Sequence, residues 1–248
     1  MNWRVLPMHT TNAFMAMAID EAVAEAVARG KSPPTIRFWR WSPSAVSIGY
    51  FQGIGDEVNL DECRNAGVDV VRRRTGGGAV YHDFKGEITY SVIGPQEIFP
   101  SGIRESYQVI CSWVVDGLSR LGIEAQFAPI NDIVVGQRKI SGNAQTRRGG
   151  VLLQHGTILY DLDVERMFSL LKISKEKISD KMIKAVQERV TRVLDYRMVS
   201  VEELYKALMQ GFTAGKNFSF GSLTAEEIQR AHELADQKYM AREWNFLR

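Results

Sequence analysis

Apolar residues recur at three- and four-residue intervals through Met15, Ala18, Ile19, Ala22, Val23, Ala26 and Val27. This predicts an amphipathic helix over Asn12–Arg29, with Asn12 as N-cap and Gly30 as stop. Pro33 and Pro34 interrupt the chain, and the β-branched and aromatic runs Thr35–Trp41 and Ala45–Phe51 predict two strands. Leu60–Ala66 reads as a short helix ended by Gly67, Val68–Arg73 as a strand running into Gly76-Gly77-Gly78, and Ile88–Ile93 as a further strand. Over Ser106–Leu121 the stripe Tyr107, Ile110, Cys111, Val114, Val115 and Leu118 predicts a core-facing helix closed by Gly122. Short apolar runs from Ile123 to Asp161, punctuated by Asn131-Asp132, Gly136-Gln137 and Arg148-Gly149-Gly150, predict antiparallel strands joined by hairpins. Helical spacing then prevails over Val164–Leu171, Lys175–Val186, Val201–Phe212 and Ala225–Tyr239, the last with Thr224 as cap and Glu227 three residues on. Central strands with helices towards both ends make a mixed α/β (α+β) fold the expected class. With no internal repeat and no Pro/Gly/Ser linker, residues 1–248 are expected to form one domain.

Composition narrows the function classes. Of 248 residues 45% are hydrophobic and 24% charged, enough to bury a sizeable core. The balance of 31 basic against 29 acidic residues leaves a net charge of +2, too small a field to gather nucleic acid or an acidic membrane, so any anion site must be local. Apolar stretches fall short of a membrane span, and the Met1–Thr11 segment lacks the pattern of a secretory signal, so a cytoplasmic protein is expected. Cys63 and Cys111 have no CxxC or Cys/His companions, which argues against a disulfide scaffold or a zinc site.

Two stretches carry candidate chemistry. In Arg72 to Asp83, three glycines between a basic strand end and an aromatic strand start let the backbone adopt φ > 0 and approach a ligand closely, with arginines at hand for a phosphate or carboxylate. An ordinary glycine turn with a solvated basic rim suits the same composition. In the second stretch, Lys139 follows a tight hairpin and is flanked by Ile140, Ser141 and Gly142, with Asp132 within reach on the neighbouring strand. A lysine so placed can bridge a phosphate and a carboxylate oxygen, or be a surface hairpin residue paired with an acid. His82 and His155 are candidates for acid/base work or for sheet histidines, and Trp39, Trp41 and Trp113 for core or tunnel wall.

Together these stretches resemble the lipoate-protein ligase A family of the biotin/lipoate ligase and octanoyltransferase superfamily. The pattern RR-x-x-GGGAVYHD matches at Arg72–Asp83, ND-x-x-V at Asn131–Val135 and G-x-x-K-x-S-G-x-A at Gly136–Ala144. His155-Gly156-Thr157, Glu188-Arg189-Val190-Thr191 and Glu243-Trp244-Asn245 follow in consistent order. The resemblance implies a large, mainly antiparallel mixed sheet flanked by helices and enclosing an apolar acyl tunnel. It also implies a two-step reaction in which lipoate and ATP, with Mg²⁺, give lipoyl-AMP, which then acylates a lysine of an acceptor domain. The expected acceptors are lipoyl domains of the 2-oxoacid dehydrogenase E2 or glycine-cleavage H-protein type. By the same resemblance Arg73, Gly76, Gly77, Gly78, Ala79, Val80 and Tyr81 would form the nucleotide and acyl-adenylate loop, with His82, Ser141, Gly142 and His155 beside it. Lys139 would hold the lipoyl carbonyl and the α-phosphate, and Asp132 would orient Lys139 or hold Mg²⁺.

A competing branch of the superfamily transfers octanoyl or lipoyl groups through a cysteine thioester. In the branch this chain most resembles, the thiol lies on a loop before the lysine strand, and in another it lies after that strand. Ala128–Gln137 contains no cysteine, and none follows Cys111. Cys63 and Cys111 are therefore expected to be structural, and an ATP-dependent ligase is the main expectation, with cysteine-type acyl transfer as its alternative. The chain also lacks the C-terminal accessory domain of long-form ligases, which implies a separate accessory subunit.

Overall fold

The computed structural model describes residues 1–172 and 188–248, so the helix expected over Lys175–Val186 lies outside the described residues. Its strands in chain order are β1 (Asn2–Thr11), β2 (Thr35–Trp41), β3 (Ala45–Ile48), β4 (Asp69–Arg72), β5 (Val80–His82), β6 (Glu87–Pro95), β7 (Ala125–Ala128), β8 (Asp132–Val135), β9 (Arg138–Arg148), β10 (Val151–Leu159) and β11 (Asn217–Phe220). Eight of them form one sheet in the order β11-β1-β2-β6-β10-β9-β8-β7, parallel across β11-β1-β2 and antiparallel from there on. A second sheet, β4-β3-β5, carries the glycine triplet between its outer strands. This is the mixed α/β class expected from the pattern and the large, mainly antiparallel sheet implied by the family resemblance.

Helices cover both faces of the large sheet because its central strands, β6 and β10, are buried along almost their whole length and need apolar partners on either side. On one face lie α1 (Ala13–Ala28) and, after the short helices α2 (Ile54–Glu57) and α3 (Leu60–Asn65), the later α7 (Ala225–Leu234). On the other lie α4 (Ile103–Ser119) and, beyond α5 (Val164–Leu170), α6 (Val201–Thr213). The Asn12 carboxamide caps α1 by accepting from Met15 N at 2.9 Å, as its position before the apolar run predicts. The core-facing helix begins at Ile103 rather than Ser106, and the last long helix passes at Ala235 into a wider turn that runs to Tyr239.

α4 and α6 cross where neither carries a side chain. A Cβ on Gly211 would fall 2.4 Å from Gly117 N, and one on Gly117 would fall 2.8 Å from the Leu208 backbone. The close crossing seats Phe212 against Phe38 and Tyr90, ring centres 5.1 and 4.7 Å away. Truncating such a ring in a fully buried site costs about 3–5 kcal/mol. The small sheet packs its own apolar cluster, Val46, Ile48, Ile54, Cys63 and Leu170, against α2, α3 and α5.

Candidate active site

The two sheets and α1 enclose a cavity of about 300 Å³. Of the residues expected in the site, Arg73, Gly77, Gly78, Ala79, Val80 and Tyr81 line it from the glycine loop. His82, Lys139, Gly142 and His155 line it from β5, β9 and β10. Gly76, Ser141 and Asp132 do not reach the wall: Ser141 is fully buried, and Asp132 connects to the cavity through Lys139. Met17, Trp41, Leu159, Leu162 and Met167 add an apolar section of wall suited to an aliphatic chain, beside the polar Ser47, Thr89, Asn131, Asn143 and Thr157.

The arginine run is not a solvated rim. Arg72 and Arg73 are buried, and Arg74 reaches Glu21 at 3.4 Å. Arg72 donates to the carbonyls of Gly49, Tyr50 and Gln52 and to those of Trp244 and Asn245, while the Asn245 side chain accepts from Arg72 N at 2.8 Å and Trp244 Nε1 donates to Arg72 O. The Trp244-Asn245 pair at the end of the chain is thus a clamp on the strand that leads into the glycine loop.

Arg73 holds the loop from behind. Its Nη2 donates to Gly76 O at 2.8 Å and Gly78 O at 2.7 Å, its Nη1 to Ser47 O and Oγ, and its Nε to Thr75 Oγ1 at 3.1 Å. All these acceptors are neutral. Burial pulls the guanidinium down to about 10, so it stays charged at neutral pH, and among the described residues no carboxylate pairs with it. A buried, uncompensated cation behind a glycine loop is a local anion attractor. Gly77 has φ +95°, a conformation that L side chains rarely adopt, and a Cβ there would fall 2.9 Å from Arg73 Nη2. The loop also leans on Gly49, where a Cβ would meet Gly77 O at 2.0 Å.

Lys139 Nζ lies 2.7 Å from Asp132 Oδ1. The arrangement depends on Gly142, which pairs with Asp132 across β8 and β9 and whose missing Cβ leaves room for the lysine, since a Cβ there would fall 2.7 Å from Nζ. The Arg189–Thr191 segment runs alongside, with Lys139 N donating to Arg189 O and Thr191 N to Lys139 O, both at 2.8 Å. The Glu188–Thr191 motif therefore flanks the lysine.

The histidines belong to two buried chains that the sequence did not reveal. His155 Nδ1 lies 3.2 Å from Asp20 Oδ2 and Nε2 2.8 Å from Thr75 Oγ1. His82 Nδ1 lies 2.7 Å from Glu87 Oε1 and Nε2 2.8 Å from Ser47 Oγ. Burial drives the His155 pKa below its ordinary value, against the opposing pull of Asp20. Burial pushes the Asp20 carboxyl up, but Arg37 at 2.7 Å and His155 hold it below the usual carboxylate range.

Both sulfurs lie outside the cavity. Cys63 and Cys111 are buried, at 1% and 0% exposure, and burial pushes their thiols up to about 11 and about 12, far from the thiolate a nucleophile needs. Among the described residues no carboxylate lines the cavity and no group of three His, Cys, Asp or Glu could hold a metal; Asp132 is engaged by Lys139. Among the described residues Asp132 therefore lacks two further ligands of this kind grouped with it. No helix among the described residues is long and apolar enough to cross a membrane.

Residues 12–213 match the family described as lipoyl protein ligase A/B catalytic domain. Proteins named octanoyltransferase LipM are similar over nearly their full length: that of Brevibacillus brevis is 36% identical, with 99% of each chain covered, and that of Kyrpidia tusciae 39%, with 98% of each covered. Among solved structures, one described as a bi-partite lipoate protein ligase and its E2 lipoyl domain from Thermoplasma acidophilum is 35% identical. Its TM-score is 0.90, over 99% of this chain and 96% of that one. A lipoate-protein ligase A bound with ATP is 33% identical, with a TM-score of 0.86 over 99% of both chains. The motifs, the sheet order and these likenesses converge on one conclusion: this chain belongs to the lipoyl protein ligase A/B catalytic-domain family, whose members here are named both as ligases and as octanoyltransferases.

Proposed function

We propose that this chain is the catalytic part of a two-part lipoate-protein ligase, which binds lipoyl-AMP made from lipoate and ATP and passes the acyl group to a lysine of a lipoyl-acceptor domain. The observation that carries this reading is a cavity joining an apolar wall to two cationic groups, Lys139 and the buried Arg73, with both cysteine sulfurs outside it. A carboxylate is a poor electrophile, and ATP supplies the adenylyl group that makes it a mixed anhydride. In transfer the acceptor amine attacks the acyl carbon, a C–N bond forms, the C–O bond to AMP breaks, and the amine proton leaves to solvent. Lys139, beside the reacting carbonyl and phosphate, stabilises the charge on both. Arg73 acts through the loop it holds, whose backbone approaches the phosphate. The Thermoplasma relative, described as bi-partite, supports a separate accessory subunit as partner.

The names of the curated relatives favour a second reading, transfer of an octanoyl group from a thioester donor without ATP. The acceptor's mass separates the two. The chain is incubated with an acceptor domain and either lipoate with ATP and Mg²⁺ or octanoyl-acyl carrier protein alone, each with and without an accessory subunit. Acylation that requires ATP supports the adenylate route. ATP-independent acylation from the thioester, with an acyl group found on Cys63 or Cys111, would overturn it.

A further inference from the structure

Two chains of buried polar groups run outward from one guanidinium. Arg73 Nε–H donates to Thr75 Oγ1, Thr75 Oγ1 lies 2.8 Å from His155 Nε2, and His155 Nδ1 lies 3.2 Å from Asp20 Oδ2. On the other side Arg73 Nη1–H donates to Ser47 Oγ, Ser47 Oγ lies 2.8 Å from His82 Nε2, and His82 Nδ1 lies 2.7 Å from Glu87 Oε1. An ionised carboxylate can only accept, so a neutral imidazole beside it carries its proton on Nδ1. Its Nε2 is then an acceptor, and the hydroxyl donates to it while turning its lone pairs to Arg73.

Each end is anchored in turn. Asp20 also accepts from Arg37 and from Ser91 Oγ at 2.8 Å, and Glu87 Oε1 from Thr89 Oγ1 at 2.8 Å, which accepts from Trp41 Nε1. The Trp41 ring stacks on His82 at 4.0 Å. Ser47, Thr75, His82, Glu87 and Asp20 are all under 5% exposed.

We infer that Asp20 and Glu87 are positioning residues of this site. Through His155–Thr75 and His82–Ser47 they fix Arg73 from two sides, so that its remaining donors meet Gly76 O and Gly78 O and the loop is formed before any ligand arrives. Preforming the loop removes an ordering cost from ligand binding, and a chain of aligned hydrogen bonds in a dry interior is stiffer than its links taken singly. The inference rests on the proposed function only for the identity of the ligand.

The test uses the full chain and variants that cut one link each: Thr75→Val, Ser47→Ala and the hydroxyl-keeping Thr75→Ser. Because Asp20 also holds Arg37, Asp20→Asn can fail to fold, and these three leave both carboxylates and both imidazoles in place. In the ligand-free enzyme, ¹⁵N spectra should show His155 and His82 protonated on Nδ1. Hydrogen exchange of the Gly77 and Gly78 amides should speed up by about tenfold in Thr75→Val and Ser47→Ala, and stay near wild type in Thr75→Ser. Lipoyl-AMP should bind about tenfold more weakly to the first two variants by calorimetry, and adding Thr75→Val to Arg73→Lys should bring no further loss. Unchanged loop exchange in folded Thr75→Val and Ser47→Ala, or histidines protonated on Nε2, would overturn the inference. A wild-type chain that does not bind lipoyl-AMP counts instead against the proposed function, because tautomers and loop exchange are read without ligand.

Discussion

Gly49 supports the glycine loop without any motif to announce it, and Gly49→Ala tests how closely that loop must sit. The added Cβ would lie 2.0 Å from Gly77 O, 3.0 Å from Gly77 C and 3.2 Å from Gly76 C. All three atoms are backbone, so no rotamer change relieves the contact and the loop itself must retreat by about 1 Å or more, a misplacement that typically costs about 10² in rate. Retreat also draws Gly76 O and Gly78 O away from Arg73. Overpacking of this kind costs about 1–3 kcal/mol, which in a chain of this size lowers Tm by roughly 2–12 °C. Thermal melts and single-turnover transfer from lipoyl-AMP read both effects. Gly55→Ala is the control: nothing lies within 4 Å of its Cβ, and in α2 the change should be neutral or stabilising. A Gly49→Ala enzyme with wild-type Tm and rate would refute the argument, because it would show that the loop has room to move without consequence.

Three further outcomes are expected. Lys139→Ala should slow both adenylation and transfer by about 10²–10³ while leaving the melt near wild type; if the lysine were only a half-exposed hairpin residue, the rates would not change. Cys63→Ser with Cys111→Ser should keep most turnover, although placing a hydroxyl at the buried Cys111 site costs roughly 1–3 kcal/mol, and loss of activity in the folded double variant would point to a sulfur nucleophile. Burial, aided by Arg37, holds His9 down to about 4 in the folded chain. Between that value and the ordinary pKa near 6.5 the unfolded chain binds the extra proton, so the stability present above about pH 6.5 is lost as pH falls through this window. His9→Gln should flatten the fall of Tm with pH, and an unaltered slope would contradict this.

The helices were legible because burial of one face imposes a local period. The Asn12 cap and the Met15–Val27 stripe predict α1, and the Thr224/Glu227 capping box, with Glu227 N accepted by Thr224 Oγ1 at 3.1 Å, sits where its spacing placed it. The glycine triplet and Lys139 were legible for a related reason: tight turns and close approaches restrict residue type at the position itself. β1 carries Pro7 inside its run, which weakens the strand pattern of the segment. The chain accommodates that proline in a register shift between Leu6 and His9, where no ladder N–H is needed. β11 is exposed at all four residues and carries no buried stripe; it is a strand only because β1 lies beside it.

The same division runs through the site. Residue type marked Arg73, Gly77, His82, Lys139 and His155 as candidates, but their geometry depends on partners far along the chain: Asp20 lies 135 residues from His155, and Asn245 lies 173 from Arg72. Asp20 reads as one more polar position in a helix, and Glu87 as the polar start of a strand. Their significance comes from tertiary structure: sheet register sets Glu87 opposite Leu159 and His155 opposite Ser91, and the packing of α1 on that sheet turns Asp20 into the same interior. A one-residue slip in that register would send each side chain to the other face. Local periodicity is encoded in neighbouring residues because each element must bury its own apolar face. The convergence of two acids on one guanidinium is encoded nowhere locally, and arises only when the strands pair and the helices close over them.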